Sequence, residues 1–260
     1  MQAHKDTIAI IGGTGMNSLP PEYVVEPLEV STEHGVAHLW RAQSADLGFY
    51  FLSRHGVHHS VPPHRVNYQA NIAAIRSLGI RRVLATNAVG SLRNDLLPRT
   101  LVLLSDFLDM TRGRVRSFWD DSRENMGVVH TSFSEPYCPG LRSALAAAAE
   151  SEGVAVQMAA TYVCVEGPRF ESPAEVRYFR QIGGDVVGMT GLPEATMARE
   201  AGLCYAALGL VTNLAAGLSD EEPAHAEVQK IVEQCAPAIR AILLKVIAGA
   251  AQIPPCRCSS

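Results

Sequence analysis

Six short segments of the 260-residue chain join glycine or small residues to side chains that bind anions or flat polar rings. Gly12-Gly13-Thr14-Gly15 follows the apolar run TIAIIG, so its amides and the Thr14 hydroxyl form a candidate anion nest, although a plain strand-exit turn has the same composition. Arg54-His55-Gly56 adds a planar guanidinium fork matched to phosphate oxygens, with an imidazole beside it. Asn87-Ala88-Val89-Gly90 ends another apolar run with an amide and a glycine that permits close backbone approach. Glu166-Gly167-Pro168-Arg169-Phe170-Glu171 carries acids and an aromatic ring, and also reads as a proline turn with surface charges. Met189-Thr190 either faces a sugar or packs, and the Asn213 amide can donate and accept at a heterocycle edge. These groups suit an anion and a flat polar ligand. Neither a G-x-S-x-G elbow nor a Walker-type lysine motif supplies a different chemistry.

Two other chemistries fit less well. A dinucleotide fingerprint needs a third glycine opening a helix, but Ser18 stands there and Pro20 and Pro21 block the helix. The histidines of RHGVHHSVPPH (His55, His58, His59 and His64) lack a partner acid between Asp46 and Arg81, so they make a poor metal site. Of six cysteines, Cys138, Cys164, Cys204 and Cys235 read as small apolar residues. Cys256 and Cys258 form a CxC in a Pro- and Ser-containing end, where tetrahedral zinc would need two further ligands; the reading is a frayed tail and no metal.

The elements that must position these residues alternate. Strand-like runs cover 7–12, 49–53, 81–90, 100–108, 159–167, 185–189 and 204–213. Helical periodicity covers 64–79, 138–153, 173–184 and 192–202, several ending in glycine, and a last amphipathic helix carries Pro237. The pattern predicts an α/β fold with a largely parallel sheet and helices on both faces, the ligand groups falling at the carboxyl ends of strands. Residues 111–136 read as a long functional loop. No linker divides the chain, so residues 1–250 form one domain and 251–260 a tail.

A formal charge of −4 argues against a nucleic-acid partner, and no apolar run is long enough to span a bilayer. MQAHKDTIAIIGGTG reads as a first strand and not a signal peptide, which makes the cytoplasm the expected compartment.

Taken in order, IIGGTG, RHG, PPHRVNYQANI, NAVGSL, FSEPYCP, EGPRFES, GMTGLPEATMARE and the VTN strand resemble the trimeric purine nucleoside phosphorylase and methylthioadenosine phosphorylase family. The resemblance spans almost the whole chain and is nearest the bacterial branch that includes methylthioinosine phosphorylase. It implies a single-domain mixed sheet flanked by helices. It also implies phosphorolysis of 6-oxopurine nucleosides to free base and ribose 1-phosphate, in purine salvage, with inorganic phosphate as co-substrate and no cofactor. Methylthioinosine or methylthioadenosine is the alternative substrate. By position, Thr14, Arg54, His55, Asn87, Ala88 and Thr190 match phosphate-binding residues, although methylthioadenosine phosphorylases usually carry Thr where Asn87 stands. Met189 matches the residue under the ribose, and Phe170 and Ala215 match substrate neighbours. His225 matches a 5′-hydroxyl contact. Asn213 and Glu171 match the base-recognising pair of inosine and guanosine enzymes, where 6-aminopurine enzymes place Asp and a small hydroxyl residue. The family also implies a homotrimer or a dimer of trimers, with His130 reaching into the neighbouring site.

Overall fold

A computed structural model of the chain describes residues 7–13, 23–56, 60–119, 129–219, 224–254 and 256–258. Strands β1 (Ile8–Gly12), β4 (Gly48–Ser53), β5 (Arg82–Ser91), β6 (Leu101–Asp109), β7 (Val156–Cys164), β8 (Val186–Gly188) and β9 (Cys204–Leu214) match the apolar runs. Two further strands, β2 (Val24–Thr32) and β3 (Gly35–Gln43), form an antiparallel hairpin that joins the sheet through β4. Nearly all of β2 is exposed or half-exposed, so it lacks the apolar run that betrays a buried strand.

The sheet runs β2-β3-β4-β1-β5-β8-β7-β6-β9, and β5 also pairs with β9. That extra pairing closes β5, β8, β7, β6 and β9 into a ring. The expectation of a largely parallel sheet needs correction: β2–β3, β3–β4, β5–β8 and β6–β9 are antiparallel, so the sheet is mixed. The reversed strands are β3, in the edge hairpin, and β6, β7 and β8, which run together against β5 and β9; an apolar run does not reveal its direction in the sequence.

Strand alternation separates two cores. Ile8 and Ile10 of β1 point to one face and Ala9 and Ile11 to the other; in β9, Ala206 and Leu208 oppose Tyr205 and Ala207. Helices α1 (Tyr68–Ser77) and α4 (Glu194–Glu200) cover one face. Helices α2 (Pro139–Ser151) and α5 (His225–Ala248) cover the other, while α3 (Pro173–Gln181) packs Val176 and Phe179 into a third cluster. The Asn67 side chain caps α1 by accepting from the Ala70 amide at 3.0 Å, and a Ser172–Glu175 capping box starts α3. Helix α5 continues through Pro237, its buried Val232, Ala236, Ile239, Leu243 and Val246 spaced three or four apart.

The tail differs from expectation. After α5 a 3-10 turn (Ala250–Gln252) leads to Ile253 and Cys258, both buried against the α2–α5 core. Residues 111–119 and 129–136 carry no helix or strand, as the sequence suggests. No helix of the described residues is long and apolar enough to cross a membrane.

Candidate active site

The strand ends converge on one cleft of about 570 Å³, a size suited to a small organic ligand. Arg54, His55, Ala88, Phe170, Glu171, Met189, Thr190 and Asn213 all line it. Thr14, His58 and His59 lie outside the described residues, as does the side chain of His225. Val228, one turn along α5 from His225, lines the cleft, so the start of that helix borders it.

Arg54 forms the floor. Its Nε and Nη2 donate to the two Glu194 carboxylate oxygens at 2.7 Å each, and Nη1 donates to the Thr86 carbonyl at 2.8 Å. One N–H on each of Nη1 and Nη2 is left over. Burial works against the charge, but the Glu194 carboxylate outweighs it and raises the Arg54 pKa, so the side chain is a fixed cation. Glu194 also accepts from the Tyr205 hydroxyl at 2.8 Å. Neither Glu194 nor Tyr205 stands out in the sequence, because each acts through a residue far away along the chain.

Gly13 is tightly required. A β-carbon there would sit 2.8 Å from the Thr86 carbonyl oxygen and 3.1 Å from Arg54 Nη1. Its amide donates to Thr86 Oγ1 at 3.0 Å, so this part of the expected nest is committed inside the protein. His55 Nδ1 lies 2.8 Å from the Val61 carbonyl; a carbonyl only accepts, so Nδ1 carries a proton and donates.

Thr190 is placed by Tyr162, whose buried hydroxyl accepts from the Thr190 and Gly191 amides at 3.1 and 3.2 Å. The Thr190 hydroxyl accepts from Asn87 Nδ2 at 3.1 Å, which leaves its own hydrogen for a second acceptor. Asn87 is behind Thr190, and its buried Oδ1 has no hydrogen-bond partner.

Asn213 is oriented by its neighbour. The Thr212 hydroxyl donates to Asn213 Oδ1 at 2.9 Å, and Nδ2 donates to the Leu214 carbonyl at 3.0 Å, leaving one amide hydrogen. Glu171 is largely buried on the cleft wall; burial pushes its carboxyl above the ordinary range, and nearby Glu175 pushes the same way. The turn carrying it is anchored at both ends. The Glu166 carboxylate accepts from the Arg112 and Gly113 amides, and Arg114 donates to the Glu166 carbonyl at 2.6 Å and to the Leu192 carbonyl at 2.6 Å. Arg169 pairs with Glu175, the capping residue of α3. Arg114 is a positioning residue that the sequence reading missed.

Two expected site residues are elsewhere. Ala215 is buried with Leu92, Val187 and Phe179, its amide donating to the Ser91 carbonyl. His130 is exposed, in a separate depression with Arg76, Arg81 and Arg199.

The phosphorylase superfamily model matches residues 7–248. The chain belongs to the phosphorylase superfamily. Among the relatives of this superfamily member, the probable 6-oxopurine nucleoside phosphorylase of Moorella thermoacetica is 43% identical over 97% of this chain and 96% of its own. The 6-oxopurine nucleoside phosphorylase of Pyrococcus furiosus is 44% identical, covering 92% and 91%. The probable S-methyl-5′-thioinosine phosphorylase of Methanopyrus kandleri is also 44% identical, covering 97% and 96%. In three dimensions the chain is similar to the methylthioadenosine phosphorylase of Schistosoma mansoni in complex with tubercidin. The TM-score is 0.86 at 32% identity, with 95% of this chain and 92% of the other covered.

Proposed function

We propose that this phosphorylase cleaves 6-oxopurine nucleosides such as inosine and guanosine with inorganic phosphate, giving the free base and ribose 1-phosphate. The observation that carries the reading is the placement of Glu171 and the oriented Asn213 amide in the same cleft as Arg54, His55 and Thr190. One group of residues suits an anion and the other suits the edge of a 6-oxopurine. Relatives named for this activity across nearly the whole chain support it.

Phosphate is held by the leftover N–H groups of Arg54, the Thr190 hydroxyl, His55 and the Ala88 backbone, with Thr14 completing the site. Asn87 supports it through Thr190, its Nδ2 donating to the hydroxyl so that the hydroxyl's own hydrogen is left for phosphate. Met189 lies under the ribose and Phe170 beside the base. Glu171 accepts the N1–H of the purine, and the remaining Asn213 N–H donates to O6 or N7. As the C1′–N9 bond lengthens, electrons flow into the base and Asn213 stabilises the growing charge. The phosphate dianion stabilises the oxocarbenium-like sugar and then bonds to C1′ from the opposite face. The protein supplies position and electrostatics, with no cofactor.

The second reading is 5′-methylthioinosine, supported by the 44% identity to the Methanopyrus relative. His225 at the start of α5 is the residue we assign to the 5′ group, and it favours a hydroxyl. The assembly we assign is a homotrimer or dimer of trimers in the cytoplasm, serving purine salvage. An exposed His130 outside its own cleft fits a role in the adjacent subunit's site. Phosphate-dependent hypoxanthine release, measured on inosine, guanosine, adenosine and their methylthio analogues, tests the reading. Release from inosine without phosphate, or turnover of adenosine alone, would overturn it.

A further inference from the structure

At the opposite end of β9 from the cleft, four cysteines from three parts of the chain meet. Cys138 is the N-cap of α2, Cys204 is the first residue of β9, and Cys256 and Cys258 come from the tail. Their four sulfurs all lie within 4.8 Å of one another, and all four thiols are free. The Cys204 and Cys256 sulfurs are 3.1 Å apart. A zinc ion about 2.3 Å from each of four thiolates holds the sulfurs about 3.8 Å apart at tetrahedral corners. The observed cluster needs only sub-ångström to ångström adjustment to reach that shape.

The surrounding backbone holds the sulfurs there. The Cys138 amide donates to the Tyr205 carbonyl at 2.8 Å, locking the start of α2 to the start of β9, and the Cys204 amide donates to the Arg81 carbonyl at 2.9 Å. The tail is tied by Arg82 Nη1, which donates to the Ala250 carbonyl at 2.7 Å. It then crosses the first turn of α2, where a β-carbon on Gly140 would meet the Pro254 carbonyl oxygen at 3.0 Å. Cys138 and Cys258 are buried and the other two half-buried, so the cluster is closed. Cys138 sits at the positive end of a helix, which favours its thiolate. Arg76, Arg81 and Arg199, with Glu200 as the one acid, line the depression that Cys258 also borders, a net positive lining on the side of a negatively charged centre.

We infer that Cys138, Cys204, Cys256 and Cys258 bind one zinc ion as a structural tetrathiolate site that clamps the C-terminal tail onto the α2–β9 junction. Binding releases the thiol protons and leaves the centre with a net charge of −2, because four thiolates surround one divalent cation. Four thiolates select zinc over harder cations, and a closed set of four protein ligands leaves no position for substrate. The inference is independent of the proposed reaction.

The test is metal binding by the full chain under reductant, with Zn²⁺ and Co²⁺ alone as probes. We expect one zinc per chain after gel filtration in chelator-free buffer. Apoprotein titrated with Co²⁺ gives thiolate charge-transfer and tetrahedral d–d absorption, which Zn²⁺ abolishes. Cys258→Ser weakens zinc binding more than about tenfold, whereas Cys258→His, which keeps a competent ligand, retains it, and Cys235→Ser leaves it unchanged. Circular dichroism establishes that each variant is folded. A folded, reduced chain that binds neither ion overturns the inference. So does undiminished zinc in Cys256→Ser/Cys258→Ser, or a set of disulfides whose reduction yields no metal binding.

Discussion

The strand β9 has a different chemistry at each end. Cys204 opens it among sulfurs, and Asn213 closes it among polar groups, about 30 Å away at roughly 3.3 Å per residue. At the Asn213 end, side chains with internal partners still hold a donor in reserve: Arg54 after Glu194 and Thr86, Thr190 after Asn87, Asn213 after Leu214. At the Cys204 end the sulfurs point at one another, and nothing is held in reserve for a visiting molecule. The first arrangement suits a ligand that comes and goes; the second suits one that stays. Incomplete satisfaction of well-positioned groups therefore marks the reactive end of this sheet better than residue type does.

The largest effect is expected at the floor of the cleft. Arg54→Ala removes a phosphate donor and leaves Glu194 buried without its cation, a loss of about 3–5 kcal/mol in stability. Arg54→Met/Glu194→Leu should recover much of that stability, since replacing both partners of a buried pair is often near neutral, yet should not recover phosphate affinity. Thermal unfolding with phosphate-dependence kinetics separates the two; an unchanged phosphate KM in either variant removes Arg54 from the phosphate site.

Glu171→Gln should come next, lowering kcat/KM for inosine roughly ten- to a hundredfold. It should also change the acid limb of the pH profile. Burial raises the Glu171 pKa, and the ionised carboxylate accepts N1–H more strongly than the protonated acid does, so inosine turnover falls as pH drops through a value above the ordinary carboxylate range. For folding the sign is opposite: the folded state holds this proton more tightly, so Glu171 costs stability as pH rises through the same window. An identical acid limb in wild type and Glu171→Gln contradicts the assignment.

Smaller still is Thr212→Val, which frees the Asn213 amide to rotate. Losing that one hydrogen bond should cost about 1 kcal/mol, about fivefold, in kcat with KM little changed. The smallest effect is at the other end of the strand. Cys256→Ser/Cys258→Ser should lower the unfolding temperature but leave inosine kcat/KM within about twofold, as distant sites act independently. A large kinetic defect there would mean that the two ends of β9 are coupled.

Much of this comparison is written locally. The seven apolar strands, the helices and the Arg54, Thr190, Glu171 and Asn213 strings are short contiguous patterns, and the fold places them as their positions at strand ends suggest. What the sequence hides is pairing over distance. The β2–β3 hairpin is too exposed to show a buried pattern, and the ring closure through β5 and β9 is a tertiary event. Glu194, Tyr162 and Arg114 acquire roles only once folding brings them to Arg54, Thr190 and the Glu166 turn. For the same reason the CxC lacks ligands in the sequence but gains Cys138 and Cys204 in space.

The most direct test of the central claim is the ratio of kcat/KM for inosine over adenosine, measured with saturating phosphate in wild type, Asn213→Asp, Glu171→Ser and the double variant. In the wild type the Glu171 carboxylate meets N1–H of inosine but only a lone pair in adenosine, which should separate the substrates by roughly ten- to a hundredfold. Asn213→Asp should move the ratio toward adenosine, and adding Glu171→Ser should move it further. A wild-type enzyme that prefers adenosine, or a ratio unmoved by both substitutions, would contradict the account.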